Sequence, residues 1–496
     1  YNIEKLLDNK YLKGYTGKYI LSLFYDKGIL WIGTENEGLI RYDIKNNEVK
    51  LYKHEEGNIY SINSNSIWYI FGDNQNRIWF ATYNKGINVI DENVKKFEIV
   101  KKNNFSETSL TDNNVTGFAE GEKGNIWVAT DGGGICEFDL YSRKFIKKIT
   151  SESNNKNRLI NNSVQCIVYD NLNKEIWIGT WAGGVDRFSS NGIKIKNYVI
   201  GKNNIFTLFK DSFNNIWVGT AGSGLFIFDR GKDKFNKIRC FNDTASISNN
   251  TFVTTILQDK GNSYWVSTLY GLSHIKVFNY DSCYCTNYFY SATNSNSLSS
   301  SMIDVIYKDR KGNLWIGTTD KGLNFLDVKN MRFVRFNEKD GLSNNSIKGI
   351  LEDNHGNIWI STALGISKYI PDQNIFINYT KEDGLVSNRY NVRSYFKASN
   401  GEFLFGSKDG FVIFNPDSIK NNNNIPEIFI VDFKINNKSI NHYDKNSPLR
   451  KHISQTDTII LKYNQSSFSI EYLALNYTHP QKNIFAYKLE GFDKDW

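Results

Sequence analysis

The side chains in this chain that could do acid–base chemistry are carboxylates in loops. Four of them, Asp131, Asp320, Asp409 and Glu35, stand where the copies of a repeated pattern differ from one another. Hydrolysis of a glycosidic bond needs two carboxylates about 5–10 Å apart. These four residues are far apart in the chain, and nothing in the sequence indicates that two of them converge. Catalysis is therefore not the first expectation.

A second set of aspartates recurs at one position of the pattern, directly before a turn rich in Gly and Asn. Its members are Asp73, Asp211, Asp259, Asp309 and Asp353. A residue that recurs this often cannot be a unique catalyst, and Asp readily bonds to the backbone two residues further on. We predict that each caps its own turn.

The six histidines and five cysteines show no metal-ligand spacing. Neither an HExxH nor a CxxC pattern is present, so the sequence implies no metal and no cofactor. The one close cysteine pair, Cys283 and Cys285, is too tight for ordinary disulfide geometry. The sequence therefore pairs no cysteines and leaves the redox compartment open.

These residues must be positioned by a repeat that occurs nine times. Its core reads W-[IV]-G-T, and the copies follow one another every 40–50 residues. The tryptophan of this core is Trp31, Trp79, Trp127, Trp177, Trp217, Trp265, Trp315 and Trp359 in eight copies, and Leu404 replaces it in a ninth, more divergent copy. The period fits one four-stranded blade of a β-propeller.

The copy around Trp315 shows the four strands directly. "MIDVIYKD", "LWIGT", "LNFLD" and "RFVRFN" are β-rich runs, and "RKGN" and "TDKG" are turns between them. A single blade cannot bury both faces, so blades must stack around an axis, with each tryptophan between adjacent sheets. The predicted class is an all-β propeller of four-stranded blades.

Ring closure leaves two alternatives. Residues 1–7 align with an outermost strand and could complete the last blade, which gives one ring of nine blades and a propeller domain over residues 1–419. Alternatively, the last seven copies form a ring closed by the strand "KKFEIVK" (95–101), and the first two copies belong to a truncated second propeller. Both remain open at this stage.

The period stops after residue 415. Residues 420–426 are a polar linker, and residues 427–496 contain alternating apolar runs that predict five or six strands of a partial Ig-like β-sandwich.

The repeat D-x-x-G-N-[IL]-W-[IV]-G-T-x-x-x-G-[LI]-x-x-[FY]-D resembles the two-component regulator propeller repeat. The tail "FAYKLEGFDKDW" (485–496) resembles the three-tyrosine domain that follows such propellers. The resemblance implies the extracellular or periplasmic sensor of a membrane-bound signalling protein, which recognises a carbohydrate and has a histidine kinase or diguanylate cyclase as its output. It also implies a homodimer formed through the sandwich. Nine copies depart from the two rings of seven that are common in that family.

Strand order predicts which residues face a ligand. The loop after the tryptophan strand and the loop leading into the next blade share one face, because alternate strands run in opposite directions. The side chains offered there are Tyr83, Asp131, Trp181, Tyr270, Asp320, Arg389 and Tyr390, and the asparagines of the leading loops are Asn65, Asn113, Asn162, Asn249 and Asn345. Aromatic platforms among hydrogen-bonding groups are what a sugar needs. The asparagines have an equally simple role as turn residues.

The charge distribution and the apolar runs indicate which classes of binding partner to expect. The formal charge is +8, but the lysines are scattered singly, so the electrostatic footprint of a nucleic-acid binder is missing. Neither a signal peptide nor an apolar run near 18 residues is present, so we expect any membrane segment to lie outside this chain. The first hypothesis is a sensor that binds a soluble oligosaccharide and is not an enzyme. The alternatives are a polysaccharide-cleaving propeller and a protein-interaction scaffold.

Overall fold

The computed structural model describes Leu12 and residues 19–56, 61–91, 96–104, 106, 108–152, 156–240, 252–419, 425–478, 480 and 483–496. The chain divides into two compact units. The first unit combines residues 1–95 with residues 421–496, and the second comprises residues 96–420. The predicted outer strand at residues 1–7 lies outside the described residues.

The first unit begins with two neighbouring antiparallel sheets, which are the first two copies of the repeat. They share a core that includes Trp31, Ile67 and Phe80. Their strands are β1 (Ile20–Asp26), β2 (Ile29–Thr34), β3 (Leu39–Asp43), β4 (Glu48–Tyr52), β5 (Ile67–Gly72), β6 (Ile78–Thr82) and β7 (Gly86–Ile90).

The second unit is a ring of blades, numbered 1 to 7 in chain order. Its strands up to blade 3 are β8 (Glu98–Val100), β9 (Val115–Glu120), β10 (Ile126–Thr130), β11 (Gly134–Asp139), β12 (Lys144–Ile149), β13 (Val164–Asp170), β14 (Glu175–Thr180), β15 (Gly184–Ser189), β16 (Lys194–Tyr198), β17 (Ile205–Lys210), β18 (Ile216–Thr220), β19 (Leu225–Asp229) and β20 (Lys234–Lys237). Its remaining strands are β21 (Arg239–Cys240), β22 (Val253–Gln258), β23 (Ser263–Thr268), β24 (Gly271–Asn279), β25 (Ser282–Tyr288), β26 (Ile303–Lys308), β27 (Leu314–Thr318), β28 (Leu323–Asp327), β29 (Arg332–Phe336), β30 (Ile347–Glu352), β31 (Ile358–Thr362), β32 (Gly365–Ile370), β33 (Ile375–Tyr379), β34 (Tyr390–Lys397), β35 (Phe403–Ser407) and β36 (Gly410–Phe414).

Blades 1 to 6 are the sheets that start with β9, β13, β17, β22, β26 and β30. Blade 7 consists of β34, β35 and β36, and β8 pairs antiparallel with β36 as its fourth strand. The innermost strands contact one another in order, and β34 of blade 7 contacts β9 of blade 1. The ring therefore closes on seven repeats and the strand at 98–100. The alternative of one nine-bladed ring is not the one that the structure adopts.

Tryptophan packing between blades is confirmed. Trp127 lies in one core with Ile167 and Ile176 of blade 2, and Trp359 lies in one core with Phe403 of blade 7. Leu404 takes the same place between blade 7 and blade 1, against Phe118. Burial of large aromatic side chains at each blade contact supplies apolar stabilisation that is evenly distributed around the ring.

Four of the five recurrent aspartates, Asp73, Asp211, Asp309 and Asp353, cap their turns and also accept a hydrogen bond from a tryptophan. In blade 6, Asp353 Oδ1 accepts the backbone N–H groups of His355 and Asn357, each at 2.9 Å, and Asp353 Oδ2 accepts Trp359 Nε1–H at 2.9 Å. The same pair of roles joins Asp211 to Trp217 and Asp309 to Trp315. The prediction that each aspartate caps its own turn is confirmed for these four, and the bond to the indole extends it. Asp259 instead contacts Lys308 and His274.

Blade 4 carries a disulfide between Cys240 and Cys283, which are 43 residues apart, with a Cα–Cα distance of 4.7 Å. Cys240 belongs to β21, which pairs in parallel with β25. The spacing of the cysteines gave no sign of this bond, because strand β25 brings Cys283 beside Cys240 only in the folded blade.

The C-terminal part of the first unit is a single sheet in the described residues. Its strands are β37 (Ile428–Ile435), β38 (Lys438–Ser439) and β39 (Phe468–Ala474), in the order β38-β37-β39. A small core of Phe433, Ile435, Leu449 and Ile453 backs it. The expected strands around Ile460 and Ile484 are not formed there, and both side chains are exposed. The predicted five or six strands of a sandwich reduce to three in the residues that the structure describes.

One contact inside the first unit joins the second repeat to the C-terminal segment. Arg77 is buried, its Nε donates to Asp73 Oδ2 at 2.6 Å, and its guanidinium lies 5.1 Å from the ring centre of Tyr477. Thr478 Oγ1 donates to Asp91 Oδ2 at 2.6 Å.

The remaining regular elements of the described residues are six short 3₁₀ helices, and none of the described helices has the length and apolar character needed to cross a bilayer. The 3₁₀ helices are Glu122–Gly124, Glu338–Asp340, Lys381–Asp383, Pro416–Ser418, Ile453–Gln455 and Tyr463–Gln465.

Candidate functional site

The loop face of the ring is where two sets of loops lie side by side. In blades 1 to 6, the first residue after the tryptophan strand donates its N–H to the carbonyl of the residue just before the innermost strand. Examples are Asp131 to Asn114 at 2.8 Å and Trp181 to Ser163 at 2.9 Å. Strand order predicts that these loops share a face, and the bonds join them blade by blade.

The asparagines of the leading loops are used for capping. Asn162 Oδ1 accepts the N–H of Ser151 at 2.7 Å, and its carbonyl accepts the N–H of Gly132 in the preceding blade. The equivalent bonds of this kind are made by Asn65, Asn113 and Asn345. Asn249 lies outside the described residues. The described asparagines therefore join neighbouring blades, which is the turn role weighed in the sequence.

Two predicted ligand residues, Asp131 and Trp181, come together at Ser163. Ser163 Oγ donates to Asp131 Oδ1, and the Ser163 carbonyl accepts the Trp181 N–H. The Trp181 side chain is 40% exposed. The Asp131 carboxylate and the backbone of the half-exposed Trp181 therefore meet at one junction between blades 1 and 2.

This junction belongs to a longer polar chain across blades 7, 1 and 2. Asn391 Nδ2 donates to Asn114 Oδ1 at 2.8 Å, and Asn114 Nδ2 donates to Asp131 Oδ2 at 3.4 Å. At the other end, Gln165 Nε2 donates to Ser163 Oγ at 3.2 Å. Hydroxyl groups of a ligand would meet donors and acceptors that are already held in place.

The other predicted residues are dispersed. Tyr270, Asp320 and Arg389 are exposed on blades 4, 5 and 7 and share no contact with one another in the described structure. Tyr83 belongs to the first unit, where its ring lies 5.3 Å from that of Trp68. Both rings are more than half exposed, so they form an aromatic platform that the sequence showed only in part.

Tyr390 is a correction. Its side chain is 4% exposed and packs against Phe405 in the core of blade 7. Burial raises the pKa of its phenol well above the ordinary value. Tyr390 holds the first position of an innermost strand, where the other blades carry Val or Ile, so its ring belongs to the core and does not reach a ligand.

Residues that the sequence did not single out lie at the second position of the innermost strands. In blades 1 to 6 the strand pairing skips one residue there, which is a β-bulge. The skipped residues, called the bulge residues below, are Thr116, Gln165, Phe206, Thr254, Asp304 and Lys348. Five residue types occur among these six positions, while the residue before each is Val or Ile. Alignment of the repeats would have shown this variation, but not the bulge.

The bulge residues contact their neighbours around the axis. Thr116 Oγ1 donates to the carbonyl of Val164 at 2.7 Å, and Lys348 Nζ lies 3.0 Å from Asp304 Oδ2. Phe206 packs on Phe252 at 4.3 Å between ring centres. The loop-face mouth of the ring's central channel thus has one such side chain from each of these six blades around it, and those of Thr254 and Asp304 are buried.

Comparison with known proteins gives the family context. The profile of the family described as two component regulator propeller matches residues 61–84, 109–132, 200–222, 297–320 and 341–363. The first stretch lies in the first unit and the other four lie in the ring. Each runs from a leading loop to the loop after the next tryptophan strand.

Relatives agree with this match. The chain is 29% identical over 307 residues to histidine kinase P4 of Formosa agariphila, covering 61% of this chain and 22% of that protein. The extracellular domain of BT3049, described as a hybrid two component system of B. thetaiotaomicron, is 28% identical with a TM-score of 0.73, covering 93% of this chain and 60% of that one. The extracellular domain of BT4673 from the same organism, at 23% identity and a TM-score of 0.51, shares the fold and covers 96% of this chain and 63% of that one.

This chain therefore spans less than two thirds of the proteins it matches. The profile matches fall in both units, and the repeat accounts for every sheet of the described structure except the C-terminal sheet β38-β37-β39. The chain carries two-component regulator propeller repeats and shares its fold with the extracellular domains of two-component sensors.

Proposed function

We propose that this chain is the ligand-sensing part of a membrane-bound bacterial signalling protein and that the loop face of its ring binds an oligosaccharide. Similarity to an extracellular domain of a hybrid two-component system and to a histidine kinase supports the sensor role. The observation that carries the ligand class is the junction at Ser163, where the backbone N–H of the 40% exposed Trp181 is bound beside the polar chain through Asp131. A sugar stacks its C–H face on an indole and pairs its hydroxyls with such groups.

The chain is placed outside the cytoplasm in this proposal. The Cys240–Cys283 disulfide supports this, because disulfides persist in oxidising compartments and are rare in the cytosol. The solved structure at 28% identity is an extracellular domain, which supports the same location. Mass spectrometry of unreduced protein isolated from cells would test it, since a reduced Cys240 would contradict an oxidising location.

Binding can be measured by isothermal titration calorimetry against a panel of oligosaccharides. Trp181→Ala should weaken binding by about tenfold or more, because a stacked aromatic contributes on the order of 1–3 kcal/mol. Tyr141→Ala is the matched control, since Tyr141 is 98% exposed in the turn between β11 and β12 at the opposite end of its blade. Equal binding by both variants, or none by the wild-type chain, would reject the site.

Arg389 is a second test of the same face. Arg389→Ala should lower the affinity for a ligand that extends from blade 2 across to blade 7. It should leave the affinity for a ligand confined to the Ser163 junction unchanged. Comparing short and long oligosaccharides of one series separates these cases. If length makes no difference to either variant, the ligand does not extend to Arg389.

A binding role is favoured over hydrolysis by the contacts of the loop-face acids. Asp131, Asp304 and Asp409 each have their own partners in Ser163, Lys348 and Ser387, and no contact in the described structure joins two of these carboxylates. Reducing ends released from a glycan panel would instead indicate an enzyme. Retention of a protein partner without any response to glycans would favour the interaction scaffold.

The output is proposed to be a cytoplasmic kinase or cyclase, reached through residues 425–496 and a membrane segment. The contact of Arg77 with Tyr477 supplies a physical link between the second repeat and that C-terminal segment. A homodimer through this segment is proposed as the signalling form. Sedimentation with and without ligand would test it, and a monomer in both states would reject it for this chain.

A further inference from the structure

The innermost strand of blade 7 departs from the other six. Tyr390 pairs with Ser407 and Tyr395 pairs with Phe405, so residues 391–394 lie opposite Gly406 alone. A Cβ on Gly406 would lie 2.0 Å from Ser394 Oγ, which shows how closely this excursion is packed. The strand of each of the other six blades has one extra residue at this point, whereas that of blade 7 has three.

Arg393, in the middle of the excursion, has a backbone φ of +62°. Of the non-glycine residues with positive φ in the described chain, Arg393 alone lies inside a strand. The left-handed region is unfavourable for a side chain with a Cβ. Backbone strain of this kind concentrates at functional positions.

The Arg393 side chain crosses the axis to the far side of the ring. Its guanidinium carbon lies 3.4 Å from the ring centre of Phe206, and its Nη1 donates to the carbonyls of Phe206 and Thr254, the latter at 3.4 Å. Phe206 and Thr254 are the bulge residues of blades 3 and 4. Arg393 therefore lies level with the bulge residues, at the loop-face end of the channel.

The charge of Arg393 is not balanced by a carboxylate. No ion pair of Arg393 occurs among the described residues, and its Nε is buried without a hydrogen-bond partner. Burial lowers the pKa of the guanidinium to about 10, opposed by Cys166 and Asp304, so the group stays protonated at neutral pH. Lys348 and Asp304 neutralise each other at 3.0 Å. Arg393 and the bulge residues together thus carry one net positive charge.

We propose that the loop-face mouth of the channel is an anion-binding site, in which Arg393 and Lys348 take a carboxylate or sulfate group of an acidic oligosaccharide. This rests on the proposed function, because the rest of the sugar is held by the polar chain from Asn391 to Gln165. A planar guanidinium can donate to two oxygens of one anionic group. In this structure it donates instead to two neutral carbonyl oxygens, which are weaker acceptors. The rings of Phe206 and Phe252 provide an apolar wall beside it.

Calorimetry with four probes tests this proposal. The probes are trigalacturonate, its neutral counterpart galactotriose, galactose 6-sulfate and sodium sulfate alone. The wild-type chain should bind an acidic sugar at least about tenfold more tightly than galactotriose, with affinity falling as salt is added. Preference for trigalacturonate or for galactose 6-sulfate identifies the anionic group as carboxylate or sulfate.

The variants are Arg393→Gln, Arg393→Lys and Lys348→Gln, with Lys311→Gln as the matched control. Lys311 is exposed in the "RKGN" turn at the opposite end of its blade and loses the same charge. Arg393→Gln should lower the affinity for the acidic probe by about tenfold or more, and Arg393→Lys should recover part of that affinity. Lys311→Gln should leave the affinity unchanged. Circular dichroism establishes which variants fold. If Arg393→Gln does not fold, the affinity of Lys348→Gln for the acidic probe is the test.

Three results would overturn the anion site: equal affinity for acidic and neutral probes, equal losses in Arg393→Gln and Lys311→Gln, or a folded wild-type chain that binds no anionic probe. Binding of galactotriose without any dependence on Arg393 rejects the anion site and leaves the oligosaccharide sensor standing. Arg393-dependent binding of sodium sulfate with no binding of any sugar rejects the oligosaccharide sensor and leaves the anion site standing.

Discussion

Replacement of Asp353 by alanine should destabilise the ring far more than its single missing carboxylate suggests. Asp353 is 1% exposed and accepts hydrogen bonds from Trp359 Nε1 and from the N–H groups of His355 and Asn357. The His355 and Asn357 groups lie in a solvent-accessible turn and lose about 1 kcal/mol each, while the indole of Trp359 is fully buried and loses about 1–3 kcal/mol. The expected loss is therefore about 3–5 kcal/mol.

Urea unfolding followed by tryptophan fluorescence measures this loss. The matched control is Asp327→Ala, because Asp327 caps a turn of blade 5 in the same way but is accessible to water and contacts no indole. The control should shift the unfolding midpoint much less. Equal shifts in the two variants would refute the assignment of the larger effect to the buried Trp359 bond.

Asp353→Asn adds a test in pH. Burial alone would raise the pKa of Asp353, but hydrogen bonds from Trp359, Asn357 and His355 outweigh it and hold the pKa below 3.8. The contribution of Asp353 is therefore complete above the unfolded-state pKa near 3.8 and is lost as pH falls through the lower folded-state value. The asparagine variant should lack this part of the acid sensitivity. An unchanged acid profile would contradict the charged role.

Three further predictions concern the framework. Reduction of the Cys240–Cys283 disulfide, or its replacement by two serines, should lower stability by about 2–4 kcal/mol, measured as a lower melting temperature with a reductant. Gly317→Ala should cost about 1–3 kcal/mol in urea unfolding, because its Cβ would lie 2.5 Å from a methyl group of Ile347. Arg77→Ala should speed limited proteolysis of residues 425–496 by about tenfold or more, because the buried cation that joins them to the second repeat is gone.

Matched controls keep these three predictions specific. Cys285→Ser leaves the disulfide intact and should keep the response to reductant. Gly312→Ala meets no atom within 4 Å and carries only the strain of its φ of +88°, so its loss should be smaller. Arg41 lies over Trp31 in the preceding sheet, and Arg41→Ala should leave proteolysis of the C-terminal segment unchanged. A control that matches its test variant would contradict the reason given.

The fold was predictable where local chemistry repeats. The strands around Trp315 and their turns follow from alternating apolar residues and from Gly and Asn, and the structure has them as β26 to β29. The role of Asp309 followed from its recurrence. The partner of the last blade did not follow, because a three-residue strand at Glu98–Val100 carries too little pattern to outweigh an equally good alignment at the N-terminus.

The candidate site was less predictable, because its residues lie in variable loops and at bulges, where the repeated sequence pattern is interrupted. Trp181 and Asp131 were found as large or charged residues in variable loops. Phe206 and Lys348 were missed, because a bulge depends on strand register and leaves no turn residue behind it. Arg393 was missed for the same reason, and Tyr390 was misplaced because one large ring in place of Val resembles a surface feature.

The bulges also bear on how this framework could acquire new specificities. A bulge residue makes no pairing in the ladder, so exchanging its side chain leaves the hydrogen bonds of the blade intact. The stability loss on mutation at these positions thus comes from their side-chain contacts, such as that of Lys348 with Asp304, and not from the ladder. Blades 1 to 6 each contribute one exchangeable side chain, and a duplicated gene could evolve toward a new ligand by changing a few codons. The same property makes these positions a natural choice for a combinatorial library of designed sensors.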